Sequence, residues 1–220
     1  MTTYYMACLN LEGRRVLVVG GGRIALEKIQ GVLVCGAAVE VVAPTVAPEV
    51  GALEAQGHVR IVRKRFEAAD VEGALLVIAA TNDMAVNTLV YEAAEERSIL
   101  VNVVDVPALC NFILPAVERN GPLALAISTA GASPALAKRI KREVADKIGA
   151  PYVALAELLE SERPWAKDNL PTYDDRKDFF ERIVNGDPDP IASLRRGDLA
   201  GVRRLIDRAK RSSISAMIAG

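Results

Sequence analysis

The chain has 220 residues and a formal net charge of −1, and 51% of its residues are apolar. This length predicts one or two domains with an ample core, and the near-zero charge argues against a general electrostatic attraction to nucleic acid. No apolar run approaches the roughly 20 residues of a membrane-spanning helix, and residues 1–11 lack the pattern of a secretory signal. Cys8, Cys35 and Cys110 are scattered and form no disulfide framework, so we expect a cytoplasmic protein.

The first strong element is a buried strand over residues 16–19, which is followed by three glycines and a helix over residues 24–35. Gly20, Gly22 and Ala25 occupy the defining positions of the G-x-G-x-x-G/A dinucleotide fingerprint. Gly20 permits a tight turn, Gly22 lets a pyrophosphate approach the backbone, and Ala25 lets the helix pack closely on the strand. A glycine triplet alone also fits a flexible turn, but its place after the first strand favours a cofactor site.

Strands alternate with helices through about residue 104. Four further strands are predicted over residues 39–43, 59–63, 75–80 and 99–104. This alternation predicts a parallel sheet with right-handed crossovers, whose ligands bind beyond the carboxyl ends of the strands. The residues at those ends, which we expect to line one crevice and contact the cofactor, are Gly20, Gly21, Gly22, Arg23, Ile24, Pro44, Thr45, Thr81, Asn82 and Asp83. Asp105 follows the fifth strand and is expected in the same crevice.

The end of the second strand leaves the choice between NAD and NADP open. An NAD-binding fold usually places an acid there to hold the ribose, and an NADP-binding fold an arginine. Neither residue type is present, and Glu40 lies inside the strand, where we expect it to face elsewhere. We assign the ribose contact to Thr45 and the nearby backbone.

The pattern changes after Pro107. Two strand-like runs, residues 112–118 and 123–129, flank an Asn120-Gly121 turn signal, and Pro115 should place the first run at a sheet edge or bulge. An isolated hairpin is marginal in water, so we expect it to join another sheet. Ser133 is the predicted N-cap of a basic helix over residues 134–148. We expect the tail helices over residues 153–162, 174–184 and 198–208 to be too few for an independent core and to pack on another part of a dimer.

The predicted fold class is therefore α/β. A Rossmann-type parallel sheet domain occupies residues 1–110, a small α+β dimerisation region with the hairpin and basic helix occupies residues 111–150, and a helical C-terminal domain occupies residues 151–220.

Several segments together resemble the precorrin-2 dehydrogenase family, the N-terminal module of siroheme synthases. The matching segments are VVGGG at residues 18–22, IAATND at 78–83, NVVD at 102–105, FILP at 112–115 and STAGASPALA at 128–137. The resemblance covers residues 9–143, and the tail matches stand-alone members less distinctively. It implies NAD-dependent dehydrogenation of precorrin-2 to sirohydrochlorin in a homodimer, with ferrous iron insertion in some members. From the length of the chain we expect no methyltransferase domain of the kind found in the fused siroheme synthases.

Asp105 is the candidate catalytic residue. Dehydrogenation releases a hydride and a proton, and a carboxylate at a strand end can accept the proton. The resemblance assigns the matching aspartate to this step and to iron insertion. The residues alone also fit a turn-forming aspartate before Pro107. No metal site is predicted, because His58 is the only histidine and lies in a polar loop.

The tetrapyrrole substrate is a polycarboxylate, which cations and helix N-termini would have to bind. The candidate substrate contacts are Asn111, Arg119, Ser128, Thr129, Lys138, Arg139 and Arg142, with Lys141 on the same basic helix. The alternatives are a solvated basic helix face and, for Ser128 and Thr129, a simple turn.

Two other functions compete with this one. A non-enzymatic Rossmann dimer that senses a nucleotide would need neither a base at Asp105 nor the basic helix. A dehydrogenase for another anionic small molecule would keep both features. No nucleic-acid or membrane partner is expected.

Overall fold

The computed structural model describes residues 3–219, with side chains described as far as residue 216. The chain divides into two compact units, one ending at Leu114 and one beginning at Pro115. We predicted the first boundary after residue 110. None of the described helices is both long and apolar enough to cross a membrane.

The first unit is a parallel five-stranded sheet with the order β3-β2-β1-β4-β5. Its strands are β1 (Arg15–Val19), β2 (Ala38–Val42), β3 (Val59–Val62), β4 (Leu76–Ala79) and β5 (Leu100–Val103). Its helices are α1 (Arg23–Leu33), α2 (Pro48–Ala55) and α3 (Met84–Glu95), with short 3-10 turns at Ala68–Val71 and Pro107–Leu109. The predicted strands and helices are all present, with ends that differ by one or two residues, as is usual for helix and strand ends.

Both faces of this sheet are buried, which explains why its strands are continuous apolar runs. Val16 and Val18 of β1 pack on one face with Ile29 of α1. Leu17 packs on the other face with Val90 of α3. Side chains that alternate along β1 therefore contribute to the hydrophobic core on each face of the sheet, and this burial fixes the strand register. Because β1, β4 and β5 pair in parallel, their carboxyl ends lie at the same edge of the sheet.

The second unit begins with an antiparallel hairpin. It consists of β6 (Ala116–Asn120), β7 (Leu123–Ile127), α4 (Pro134–Ala145), α5 (Ala150–Asn169), α6 (Tyr173–Val184), α7 (Pro190–Arg195) and α8 (Leu199–Ala219). Asn120 pairs with Leu123 and so belongs to the strand, which moves the two-residue loop to Gly121 and Pro122. Pro115 lies just outside β6, because a proline has no N–H to donate to the ladder. Within the described residues the hairpin joins no other sheet and packs on α4 instead.

The expectation that the tail has no core of its own was wrong. Phe179, Leu170 and Ile183 are fully buried among the tail helices, and the rings of Trp165 and Phe179 lie 5.1 Å apart. Two helices are longer than predicted, at 20 residues for α5 and 21 for α8, and α7 was not predicted. The added length lets the helices bury a shared apolar cluster within one chain.

Candidate functional site

The glycine loop is shaped by its neighbours. Gly20 has a φ of +117°, and a Cβ there would lie 2.4 Å from the carbonyl oxygen of Ala80. A Cβ on Gly21 would lie 2.5 Å from the carbonyl oxygen of Thr45. These two glycines therefore let the end of β1 pack against the loops that follow β4 and β2. A Cβ on Gly22, in contrast, would meet no atom within 4 Å, so this position faces open space.

The N-terminus of α1 opens at Gly22. This residue is the N-cap, and no side chain caps the helix there. The first turn contains no acidic residue, and Arg23 is exposed while Ile24 is half-buried. Uncapped N–H groups at the positive end of a helix bind an anion such as a diphosphate. The residues present therefore fit the dinucleotide that the fingerprint predicts.

The end of β2 offers a neutral surface. Pro44 and Thr45 are exposed, and the loop is tied to the glycine turn by a 2.7 Å hydrogen bond from Ala47 N to Gly21 O. Glu40 faces away, as predicted, because it forms ion pairs with Arg15 and Arg60. The carboxyl end of β2 therefore presents no acidic side chain that could hold a cofactor ribose.

An arginine follows the neighbouring strand. β3 lies beside β2, and Arg63 comes directly after it. Its guanidinium donates to both carboxylate oxygens of Glu54, at 3.2 and 2.6 Å. This hydrogen bond lowers the pKa of the Glu54 carboxyl below its ordinary value. Arg63 is thus engaged by an acid of α2.

The loop after β4 is held by its own polar atoms. Asp83 caps α3 by accepting hydrogen bonds from Ala85 N at 2.9 Å and Val86 N at 3.3 Å. Thr81 Oγ1 donates to Asn87 Oδ1 at 2.8 Å, and Asn87 Nδ2 donates to Thr81 O at 3.1 Å. The sequence reasoning missed Asn87, although an asparagine among the apolar positions of a helix is a signal of a buried partner. Asn82 is exposed beside this network.

Asp105 lies at the carboxyl edge of β5. It is exposed and has a φ of +60°, a left-handed conformation that aspartate and asparagine tolerate better than most residues. It is the third residue of a turn closed by a 3.2 Å hydrogen bond from Val106 N to Val103 O. Within the part of the chain that the structure describes, the carboxylate has no hydrogen bond or ion pair. It is therefore accessible to a ligand at the same sheet edge as the glycine loop.

The amide of Asn111, a predicted substrate contact, is hydrogen-bonded within the first unit. Its Oδ1 accepts from Val101 N at 2.7 Å, and its Nδ2 donates to Glu95 at 2.7 Å and to Ile99 O at 3.0 Å. Both amide protons and the carbonyl are used to fasten the chain to β5 and α3. Sequence position alone could not show this, because the partners lie 10 to 16 residues away.

The other predicted substrate contacts lie in the second unit. Ser128 accepts from Ala130 N, and Thr129 Oγ1 bonds both the N–H and the carbonyl of Ser133, which caps α4. These hydroxyls thus shape a turn, which was the alternative interpretation. Lys141 contacts Glu118 at 2.6 Å and Val117 O, and so fastens α4 to the hairpin.

The predicted cationic substrate contacts are all exposed: Arg119 on β6 and Lys138, Arg139 and Arg142 on α4. Arg139 pairs with Glu143 at 2.7 Å across one helical turn, which is an exposed contact that a ligand can displace. The assignment of these four residues to the substrate stays a prediction.

No metal centre is evident in residues 3–216. These residues hold no cluster of three or more histidine, cysteine or acidic side chains that could bind an ion. His58 is exposed in the turn before β3.

Three family models match successive parts of the chain. The model described as putative NAD(P)-binding matches residues 7–116, the one described as sirohaem biosynthesis protein central matches residues 120–147, and the one described as sirohaem synthase dimerisation region matches residues 152–209. The expected homodimer, joined through residues after about Pro107, stays a prediction, and so do the bounds 111–150 of its dimerisation region.

Named relatives give the same result. The chain is 37% identical to the siroheme synthase of Thioalkalivibrio sulfidiphilus over 99% of its own length and 44% of the relative's. It is 40% identical to the siroheme synthase of Pseudomonas entomophila over 83% of its own length and 39% of the relative's. The chain therefore spans less than half the length of these relatives.

A solved structure matches from end to end. The structure of SirC, a precorrin-2 dehydrogenase, superposes with a TM-score of 0.77 at 34% identity, and the match covers 94% of this chain and all of SirC. This match confirms the predicted fold class. The chain belongs to the precorrin-2 dehydrogenase family, which includes the matching region of the siroheme synthases.

Proposed function

We propose that the protein is an NAD-dependent dehydrogenase that oxidises precorrin-2 to sirohydrochlorin. The observation that carries the proposal is the accessible carboxylate of Asp105 at the sheet edge where the β1–α1 loop presents an uncapped helix N-terminus. Relatives named siroheme synthase and precorrin-2 dehydrogenase support the choice of substrate. The direct test is incubation of the protein with precorrin-2 and NAD, which should give the sirohydrochlorin absorption.

The cofactor diphosphate is held at the first turn of α1, where Gly22 leaves room for it. The bound nicotinamide supplies the acceptor for the hydride. The exposed Pro44 and Thr45 are the ribose contacts in this proposal, and Thr81, Asn82 and Asp83 line the crevice beyond β4. We favour NAD over NADP because no arginine follows β2 directly, and Arg63, which follows β3, pairs with Glu54. Comparing the affinities for NAD and NADP by calorimetry tests this choice.

Asp105 is the base in this proposal. As a carbon–hydrogen bond of precorrin-2 transfers its hydride, a proton leaves the substrate, and an Asp105 carboxylate oxygen accepts it. Because the carboxylate has no other partner in the described residues, it can meet the substrate without first breaking an ion pair. The cations Arg119, Lys138, Arg139 and Arg142 of the second unit would bind the carboxylates of the substrate.

Iron insertion is a second candidate activity. The accessible Asp105 carboxylate could also remove the pyrrole protons that ferrous iron displaces from sirohydrochlorin. Here the iron is a substrate, held transiently by the tetrapyrrole. Incubation of sirohydrochlorin with ferrous iron and the protein in the absence of oxygen tests this activity, and a rate equal to that without protein would exclude it.

We further propose a homodimer in the cytoplasm, where NAD is available as a cosubstrate. The match of residues 152–209 to a model described as a dimerisation region supports the dimer. A nucleotide-sensing dimer without activity remains an alternative, as does a dehydrogenase for another anionic molecule. The incubation with precorrin-2 and NAD separates all three.

A further inference from the structure

The position of Asp105 depends on the backbone that carries it. Its carboxylate has no hydrogen-bonding partner among the described side chains, so no neighbour orients it. Its φ of +60° places it in a left-handed turn between Val103 and Val106. A small change in this turn would move the carboxylate, and a displacement of about 1 Å in an active site can cost on the order of a hundredfold in rate.

One sulfur atom contacts both ends of this turn. The Sγ of Cys110 accepts a hydrogen bond from Val103 N at 3.3 Å, and it lies 3.2 Å from Val103 O and 3.3 Å from Val106 O. The single thiol proton can be donated to either carbonyl. Val103 and Val106 are the first and last residues of the turn, so the thiol bridges its base.

The sulfur is itself held in place. Asn102 Nδ2 donates to Cys110 Sγ at 3.5 Å and to Phe112 O at 3.0 Å, and a backbone bridge joins Asn102 to Cys110. Asn102 is buried at the end of β5. The thiol is half-buried and its burial raises its pKa, so it keeps its proton at neutral pH. Cys110 is thus a protonated donor held beside β5 by its bridge to Asn102.

We propose that Cys110 is a positioning residue, whose thiol fastens both ends of the 103–106 turn and so sets the position from which Asp105 accepts the substrate proton. This inference rests on the proposed function of Asp105. It gives Cys110 a role that needs no thiolate and no contact with the substrate. It also explains why a cysteine stands there, because a methyl group could not bond either end of the turn.

Single variants give the first test. Cys110→Ala should lower kcat for precorrin-2 oxidation by about tenfold or more, with KM for NAD within about twofold of wild type, because the nucleotide contacts lie on the β1 side. Cys110→Ser keeps a donor and an acceptor and should recover most of the loss. Cys35→Ala is the matched control, because Cys35 is also half-buried but lies at the far end of α1, and it should keep wild-type turnover. A Cys110→Ala protein with wild-type kcat would overturn the proposal.

A double-mutant cycle distinguishes positioning from a general structural effect. In the Asp105→Asn background, Cys110→Ala should cause no further loss of residual turnover, because the group that it positions is already gone. An equal loss in both backgrounds would overturn the role of Cys110 while leaving Asp105 as the base. Full turnover in Asp105→Asn alone would overturn the base itself and this inference with it. If Cys110→Ala does not fold, the cycle is run with Cys110→Val, which fills the site but has no hydrogen-bond donor, and an equal loss in both backgrounds again refutes the proposal.

Discussion

Gly22 allows one substitution to change stability and cofactor affinity in opposite directions. It is the N-cap of α1, with an extended backbone at φ −87° and ψ −171°, and a side chain there would meet no atom. Aspartate is a preferred N-cap residue, and its charge favours the positive helix end. Gly22→Asp should therefore raise the free energy of unfolding of the cofactor-free protein by about 0.5 kcal/mol.

The same carboxylate would stand where we propose that the diphosphate binds. Two unit charges about 4 Å apart repel by about 4 kcal/mol at an effective dielectric constant of about 20, and salt reduces this value. We expect NAD affinity to fall about 100-fold, which corresponds to about 2.7 kcal/mol. Gly22→Ser caps the helix without adding a charge, so its NAD affinity should fall less than that of Gly22→Asp. The difference between the two variants separates charge repulsion from steric exclusion.

Urea unfolding of the cofactor-free proteins and calorimetric titration with NAD measure the two effects. Gly20→Ala is the contrasting variant, because its Cβ would clash with Ala80 O at a φ of +117°, and it should lose about 2 kcal/mol of stability or more. A Gly22→Asp protein that binds NAD with wild-type affinity would refute the assignment of the diphosphate to this helix.

Three further predictions follow from the two units. Asparagine tolerates the left-handed turn, so Asp105→Asn should reduce dehydrogenase turnover by about 100-fold or more with NAD affinity unchanged. A calorimetric titration alongside the rate assay would reveal a folding defect as lost NAD binding. Phe179→Ala should destabilise the second unit by about 3–5 kcal/mol, because the ring is fully buried, and thermal unfolding should show it while NAD binding to the first unit persists; an unchanged melting profile would contradict the core described for the tail. The protein should be a dimer by light scattering at micromolar concentration, and a monomer there would contradict the proposed assembly.

The sheet could be predicted because its strands are short apolar runs that are buried on both faces, as residues 16–19 are. The glycine turn could be predicted because Gly20 and Gly21 lie where a Cβ would clash with the carbonyl oxygens of Ala80 and Thr45. The core of the tail could not, because it depends on how Phe179 and Ile183 of α6 meet Leu170 after α5 and Val202 of α8. The tail helices predicted from the sequence are shorter, and at that length they offer too little apolar surface for a core.

The polar contacts that brace the site were also beyond sequence reasoning. Cys110 bonds residues four and seven positions away through a turn whose shape depends on the left-handed Asp105. Asn111 is a predicted substrate contact. The structure uses the same amide to join β5 and α3. A polar side chain indicates a partner, and only the fold decides which one.

The most direct test of the central claim is the oxidation of precorrin-2 by the purified protein with NAD as the only oxidant, in the absence of oxygen. The sirohydrochlorin formed and the NADH formed are measured together from their absorption. We predict that both appear in equal amounts at a rate proportional to protein concentration, and that Asp105→Asn slows both to the same extent. Sirohydrochlorin formation no faster than without the protein, or without matching NADH, would contradict the account.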